Sequence, residues 1–158
     1  MRGKLLRFAW KTASIAALAL VAACGQSAAQ CDAIQTAIVT SYSQDPGCTS
    51  PVGVCTAGNT SVGDLVGSTR FTALTMGAGP SPDVILYSGD LTITTNSGTL
   101  TLRDRGLLNS ATGFYFEMQQ IVSGTGAYAE RTGILISQGM ASQTGFSGQL
   151  TGAICPLQ

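Results

Sequence analysis

The sequence contains no histidine, and its two lysines, Lys4 and Lys11, both stand near the start of the chain. Catalytic triads that use histidine and metal sites that use histidine are therefore excluded, as is lysine Schiff-base chemistry beyond residue 11. Charged residues form only 10% of the chain, so few ionisable groups remain. Any chemistry must come from carboxylates, tyrosines and hydroxyls, and we expect no metal and no other cofactor.

Clustered positive charge is also lacking. Four of the eight basic residues lie within the first eleven positions, and the rest of the chain has four arginines against eight acidic residues, a net charge of about −4. Those arginines are scattered along the chain, at Arg70, Arg103, Arg105 and Arg131. A nucleic-acid-binding face needs concentrated Lys and Arg, so we predict no nucleic-acid partner.

The longest apolar run, residues 13–23, is too short to span a bilayer. It follows a basic segment, and the two together predict a signal peptide over residues 1–23. The end of the run, Val21-Ala22-Ala23-Cys24-Gly25, resembles a bacterial lipobox, which predicts lipidation of Cys24 and a lipoprotein anchored to the membrane in the periplasm or at the cell surface. Cleavage after Ala29, which would give a secreted protein, is the alternative.

Four cysteines follow the signal peptide, and an even number in an exported chain predicts two disulfides with three possible pairings. The competing interpretation, a zinc site, fits poorly because six residues separate Cys48 from Cys55, a wider spacing than that of a usual zinc knuckle. We favour a bridge from Cys48 or Cys55 to Cys155, with Cys31 completing the second pair. Closing a loop of about 100 residues would stabilise the fold by roughly 4–5 kcal/mol in the chain-entropy model.

From Thr60 onward short strands alternate with turns, and no helix is predicted. Leu91 and Ile93 would face Leu100 and Leu102 across a hairpin. The pattern predicts an all-β fold of seven or eight strands, best satisfied by a closed or nearly closed antiparallel barrel, with a two-sheet sandwich as the alternative. We divide the mature chain into a tether and disulfide-stapled segment, residues 24–58, and a barrel, residues 59–158. Residues 31–40 suit either a helix or a strand.

The segment 114–133 is the most informative. Phe114, Phe116 and Met118 alternate with Tyr115, Glu117 and Gln119, as in a half-buried strand. A glycine corner follows at Gly124 and Gly126, and Gly133 begins the next strand. We predict that at least one of Gly124 and Gly126 has a positive φ angle.

The run Ile121-Val122-Ser123-Gly124-Thr125-Gly126-Ala127-Tyr128, with Gly133 after it, resembles the glycine corner of dirigent proteins and allene oxide cyclases. The whole chain resembles small exported bacterial proteins with an allene-oxide-cyclase-like barrel. The resemblance implies an eight-stranded antiparallel calycin-like barrel, an apolar ligand and a possible homo-oligomer. No residue of this chain matches the catalytic groups of those families.

Candidate site residues are few. Asp104 lies in line with Leu100 and Leu102, which places it at a wet barrel mouth or makes it a buried acid. We favour the wet mouth, because charged residues are rarely fully buried without a partner. Glu117 is the second catalytic candidate, but the favoured interpretation pairs it with Arg103 and Arg105 on the solvent face. Candidate ligand-binding residues are three tyrosines, Tyr87, Tyr115 and Tyr128.

Three functions remain open. The first is an exported barrel that binds a small apolar molecule, and the second is a cofactor-free cyclase or isomerase with a carboxylate or tyrosine inside the cavity. The third is a structural or interaction module of the cell envelope, which a filled barrel and an exposed apolar patch would favour.

Overall fold

The computed structural model describes residues 30–43 and 46–157. The predicted signal peptide, the lipidation of Cys24 and the cleavage after Ala29 lie outside these residues. Within the described part of the chain, no helix is both long and apolar enough to cross a membrane.

Eight antiparallel strands close into a barrel in which each strand pairs with its neighbours in sequence and β8 pairs with β1. This confirms the predicted all-β barrel. The strands are β1 Asp32–Tyr42, β2 Cys55–Gly63, β3 Gly67–Ala78, β4 Val84–Thr95, β5 Gly98–Asn109, β6 Phe114–Gly124, β7 Arg131–Ala141 and β8 Gly145–Pro156. A short 3-10 turn, Gly126–Tyr128, joins β6 to β7.

The barrel begins at Asp32, so the predicted boundary at residue 59 is wrong. Strand β1 lies between β2 and β8 and supplies the pairing that closes the sheet. Ile34 and Ile38 of this strand are buried, with Thr36 between them at the same period of two. The segment 31–40, which the sequence left undecided, is therefore a strand because closure needs its backbone hydrogen bonds.

Two disulfides form, as predicted, but the favoured pairing is wrong. Cys155 bonds to Cys31, and Cys48 bonds to Cys55. Since β1 and β8 are neighbours, Cys31 before the first strand lies next to Cys155 near the end of the last one. Sequence spacing could not show this, because the adjacency of the two terminal strands is a consequence of barrel closure.

Aliphatic side chains fill one half of the barrel, which we call the filled half. Leu91 pairs with Leu102 and Ile93 with Leu100 across the β4–β5 hairpin, as predicted. Leu65, in the β2–β3 turn, closes this end and is almost completely buried. The buried aliphatic cluster consists of Ile34, Ile38, Leu65, Leu91, Ile93, Leu100, Leu102, Ile121, Leu135, Leu150 and Ile154.

The glycine corner has the predicted strand–turn–strand form. Gly126 has a φ of 60°, which confirms the positive φ, and a Cβ there would lie 2.2 Å from the Ser97 carbonyl oxygen. Tyr128 lies partly buried against the aliphatic cluster. The corner therefore closes the filled half of the barrel.

Candidate functional site

The inner and outer faces of β6 are the reverse of what residue polarity suggests. Phe114, Phe116 and Met118 point outward and are 42%, 36% and 44% exposed. Tyr115 and Gln119 point into the barrel and are buried. The register explains this, because Ile121 on the inner face pairs with Leu102 of β5, and a strand period of two then places positions 119, 117 and 115 inside as well.

Asp104 and Glu117 meet inside the barrel through Gln119. The amide nitrogen Nε2 of Gln119 donates to Asp104 Oδ2 at 3.1 Å and to Glu117 Oε2 at 3.0 Å. The Tyr87 hydroxyl donates a hydrogen bond to Glu117 Oε1, with an oxygen–oxygen distance of 2.7 Å. Asp104 is 1% exposed, so the alternative that it is a buried acid is correct and the wet-mouth alternative is wrong. Sequence reasoning missed Gln119, whose place in the β6 alternation was its only signal.

Gly106 allows Tyr87 and Glu117 to touch although they lie on strands that are not neighbours. It stands on β5 opposite Tyr87 of β4 on one side and Glu117 of β6 on the other. A Cβ at this position would lie 2.7 Å from the Tyr87 ring and 2.9 Å from Glu117 Cγ. The missing side chain therefore opens the path for the hydrogen bond across β5.

The predicted pairing of Glu117 with Arg103 or Arg105 is wrong. Both arginines are exposed on the outer face of β5, whereas Glu117 is half-buried on the inner side. Arg103 instead forms an ion pair with Asp90, which stands opposite it on β4. A strand places odd and even positions on opposite faces, so the wall of the barrel separates the arginines from Glu117.

The carboxyl pair lines a cavity of about 100 Å³ in the second half of the barrel, which we call the cavity half. Its walls are mostly apolar and include five aromatic side chains, Tyr42, Phe71, Tyr87, Tyr115 and Phe146. Met76 also lines the cavity and is 44% exposed. The cavity therefore reaches solvent at the end of the barrel opposite the glycine corner.

Burial governs the ionisation of the pair. It raises the pKa of Asp104 well above the usual value, and the charges of Glu117 and Asp90 raise it further. Burial also raises the pKa of Glu117, while hydrogen bonds from Tyr87, Ser137 and Gln119 act in the opposite direction. Glu117 therefore has the larger set of donors that stabilise its charged form.

The three candidate tyrosines separate into two groups. Tyr87 and Tyr115 line the cavity, and Ser137 donates to the Tyr115 oxygen at 3.3 Å. Tyr128 lies at the other end, where its hydroxyl accepts a hydrogen bond from Thr95. The structure therefore brings Asp104, Glu117, Tyr87 and Tyr115 together and leaves Tyr128 apart.

Among the described residues, no three cysteine or acidic side chains gather in a way that would hold a metal ion. The fold and the site define a closed eight-stranded antiparallel barrel with a carboxyl pair in an aromatic-walled cavity at one end. No family model, curated protein or solved structure matches the chain. The resemblance to dirigent proteins and allene oxide cyclases therefore stays a prediction.

Proposed function

We propose that this protein is an exported barrel that binds a small, mainly apolar molecule in the cavity half. The observation that supports it is the contrast within one barrel interior, where one half is packed with aliphatic side chains and the other keeps an open, aromatic-walled space. Ordinary protein interiors leave few voids larger than a water molecule. A space of about 100 Å³ beside buried polar groups is therefore a candidate ligand site.

The cavity sets the size of the ligand. A dry cavity of about 150 Å³ takes a benzene molecule, so about 100 Å³ has room for roughly four heavy atoms. A larger molecule would insert one end and leave the remainder at the mouth, near Met76 and Tyr42. The site thus suits a short aliphatic molecule or the tip of a longer one.

Xenon tests the binding proposal, because it probes apolar space and makes no hydrogen bonds. We expect saturable shifts of the amide resonances of Tyr115 and Ser137 when the protein is exposed to xenon under pressure. Ala73→Leu, which adds bulk to a buried cavity wall, should abolish the shifts, whereas Ala57→Leu on the neighbouring strand, outside the cavity, should preserve them. Absence of shifts in the unsubstituted protein, or their persistence in Ala73→Leu, would contradict the proposal.

Export and anchoring are part of the proposal and depend on the signal sequence and its lipobox. Two disulfides are consistent with an oxidising compartment. Lipidation predicts that Cys24→Ser removes acyl labelling and alters the mobility of the mature protein. Unchanged processing in that variant would mean cleavage after Ala29 and a secreted protein.

A cofactor-free cyclase or isomerase remains the alternative, because its requirement for carboxyl and tyrosine groups in the cavity is met by Asp104, Glu117 and Tyr87. A proton-transfer enzyme of this kind would exchange a substrate C–H proton with solvent. Deuterium uptake from D₂O into a small unsaturated ketone, lost in Asp104→Asn, would support this alternative. No uptake with a ketone that demonstrably binds would count against it.

The outer surface favours a third candidate function, an interaction module. Leu86, Leu107 and Phe116 stand opposite one another on β4, β5 and β6, and exposed Phe114, Met118 and Met140 lie on the same outer wall. Monomeric proteins rarely expose large contiguous apolar patches. A second copy of this chain would present the same apolar row and could pack against it. Sedimentation should therefore reveal an oligomer, and Phe116→Arg should dissociate it. A monomer at high protein concentration would exclude this function.

A further inference from the structure

Two buried acceptor atoms in the cavity half have no hydrogen-bond partner within the described residues. They are Asp104 Oδ1 and Gln119 Oε1, on side chains that are 1% and 0% exposed. Leaving a buried polar atom unpaired costs about 1–3 kcal/mol. Both residues line the cavity. The site is therefore short of donors, and whatever fills it gains most by donating several hydrogen bonds.

The site is also short of positive charge. The chain has no histidine, and both lysines lie outside the described residues. Arg70, Arg103 and Arg105 lie on the exposed surface, and Arg131 pairs with Asp32 near the other end of the barrel. Two carboxyl groups thus share a buried pocket in which no cationic side chain of the described residues lies. Buried carboxylates are normally stabilised by a paired cation.

We propose that the ligand of the cavity is a small organic amine whose ammonium group lies between Asp104, Glu117 and Gln119 and whose apolar part contacts the aromatic walls. This inference rests on the proposed ligand-binding function and specifies its ligand class.

Three ligand classes compete for this cavity, and the unpaired acceptors discriminate among them. A hydrocarbon would fill the space and leave both acceptors unpaired. An alcohol has one proton to donate, which leaves one acceptor unpaired. A primary ammonium group has three N–H donors and also supplies the missing positive charge. Phe71, Tyr87 and Tyr115 add ring faces and edges near the same space, and ring faces attract a desolvated cation.

Protonation links amine binding to pH. The titratable groups that face the pair are Tyr87 from β4 and Tyr115 from β6, with Tyr42 of β1 farther along the wall and the charge of Asp90 acting from outside. Strands β2, β3, β7 and β8 contribute only non-titrating side chains to the cavity, Thr56, Phe71, Ala73, Met76, Ser137 and Phe146. An ammonium ion favours the ionised carboxyls, so binding expels the proton of the pair to the buffer. Affinity should therefore rise with pH until the pair is fully ionised.

Propylamine and propan-1-ol are matched probes, because each has four heavy atoms and they differ only in the polar group. We expect propylamine to bind at least tenfold more tightly at neutral pH, measured from amide shifts in an NMR titration. We also expect its affinity to fall as the pH is lowered toward 5, with proton release visible as a buffer-dependent heat of binding.

Two near-isosteric variants localise the effect. Asp104→Asn and Glu117→Gln should each lower propylamine affinity about tenfold and leave xenon binding intact, which also reports that the variant is folded. Asp90→Asn, which removes an exposed carboxylate outside the cavity, should keep the amine preference.

The outcomes separate this inference from the function on which it rests. Equal binding of the two probes, or an amine preference that survives both cavity variants, would overturn the amine assignment while xenon binding upheld the ligand-binding proposal. Failure of xenon, alcohol and amine alike would overturn both.

Discussion

The two halves of the barrel interior differ in packing and polarity, although the same eight strands pass through both. In the filled half, Leu100, Leu135 and Leu150 are fully buried. In the cavity half, the same strands continue with Asp104, Ser137 and Phe146, which line an open space. Strand β5 shows the change most clearly, since its inward positions run from Leu100 and Leu102 to Asp104 and then Gly106.

This difference separates the part of the barrel that mainly stabilises the fold from the part that holds the candidate site. The filled half removes aliphatic area from water, so it contributes stability at about 25 cal/mol per Å². The cavity half gives up contacts and holds two acids whose burial disfavours their charged forms. Natural proteins depart from good packing mainly at functional sites, and this barrel confines the departure to one end.

The largest expected effect separates the two disulfides. Cys31–Cys155 joins the two ends of the barrel chain at the filled half across 124 residues, whereas Cys48–Cys55 ties the preceding loop to the first residue of β2 and spans 7 residues. The chain-entropy model assigns about 5 kcal/mol to the first and about 2 kcal/mol to the second. Replacing both cysteines of each pair by alanine and measuring urea unfolding should show this order, and equal losses would mean that the long bridge does not act through the unfolded chain.

Leucine truncation compares the packing of the two halves directly. Leu100→Ala should destabilise the protein by about 3 kcal/mol, because it leaves a void among fully buried side chains. Leu108→Ala, on the same strand but half-buried beside the cavity, should cost about 1 kcal/mol, since fewer contacts are lost. Thermal melts of the two variants measure the difference. A cost at Leu108 that matches Leu100 would mean that the cavity half is as tightly packed as the filled one.

The smallest expected effect is the pH dependence that the cavity half imposes. The pKa values of Asp104 and Glu117 are raised in the folded state. In the unfolded chain, the same carboxyl groups lose their protons at about pH 4, whereas in the folded protein they keep them to a higher pH. Their contribution to stability is therefore fully present below about pH 4 and is lost as pH rises through the raised pKa values. Each unit of pKa difference corresponds to about 1.4 kcal/mol.

Asp104→Asn should accordingly flatten the fall in stability between about pH 4 and neutral pH. Asp90→Asn on the outer face should change the slope less, because it removes only one of the charges that raise the pKa of Asp104. Urea midpoints at several pH values measure both slopes. An unchanged slope in Asp104→Asn would show that the acid is not what makes the cavity half pH-sensitive.

Local patterns predicted much of the fold. The alternation of β4 and β5 identified the hairpin of Leu91, Ile93, Leu100 and Leu102, because side-chain period and turn chemistry are properties of neighbouring residues. The glycine corner was recognised for the same reason, because the positive φ angle at Gly126 is a requirement of the turn itself. The candidate site was only half recognised. Asp104 was identified by its place among leucines, but Glu117 was assigned to the outer face because its neighbours Phe116 and Met118 are apolar.

The sequence by itself determined the class of fold, the number of disulfides and the absence of histidine and lysine chemistry from the barrel, since composition, strand period and turn residues carry that information. The tertiary structure alone decided that Cys31 meets Cys155, that β6 presents Glu117 and Gln119 inward, and that Tyr87 reaches Glu117 over Gly106. Each of these depends on which strands are neighbours and in what register. Pairing between distant segments is fixed by closure of the whole barrel, which no local pattern encodes.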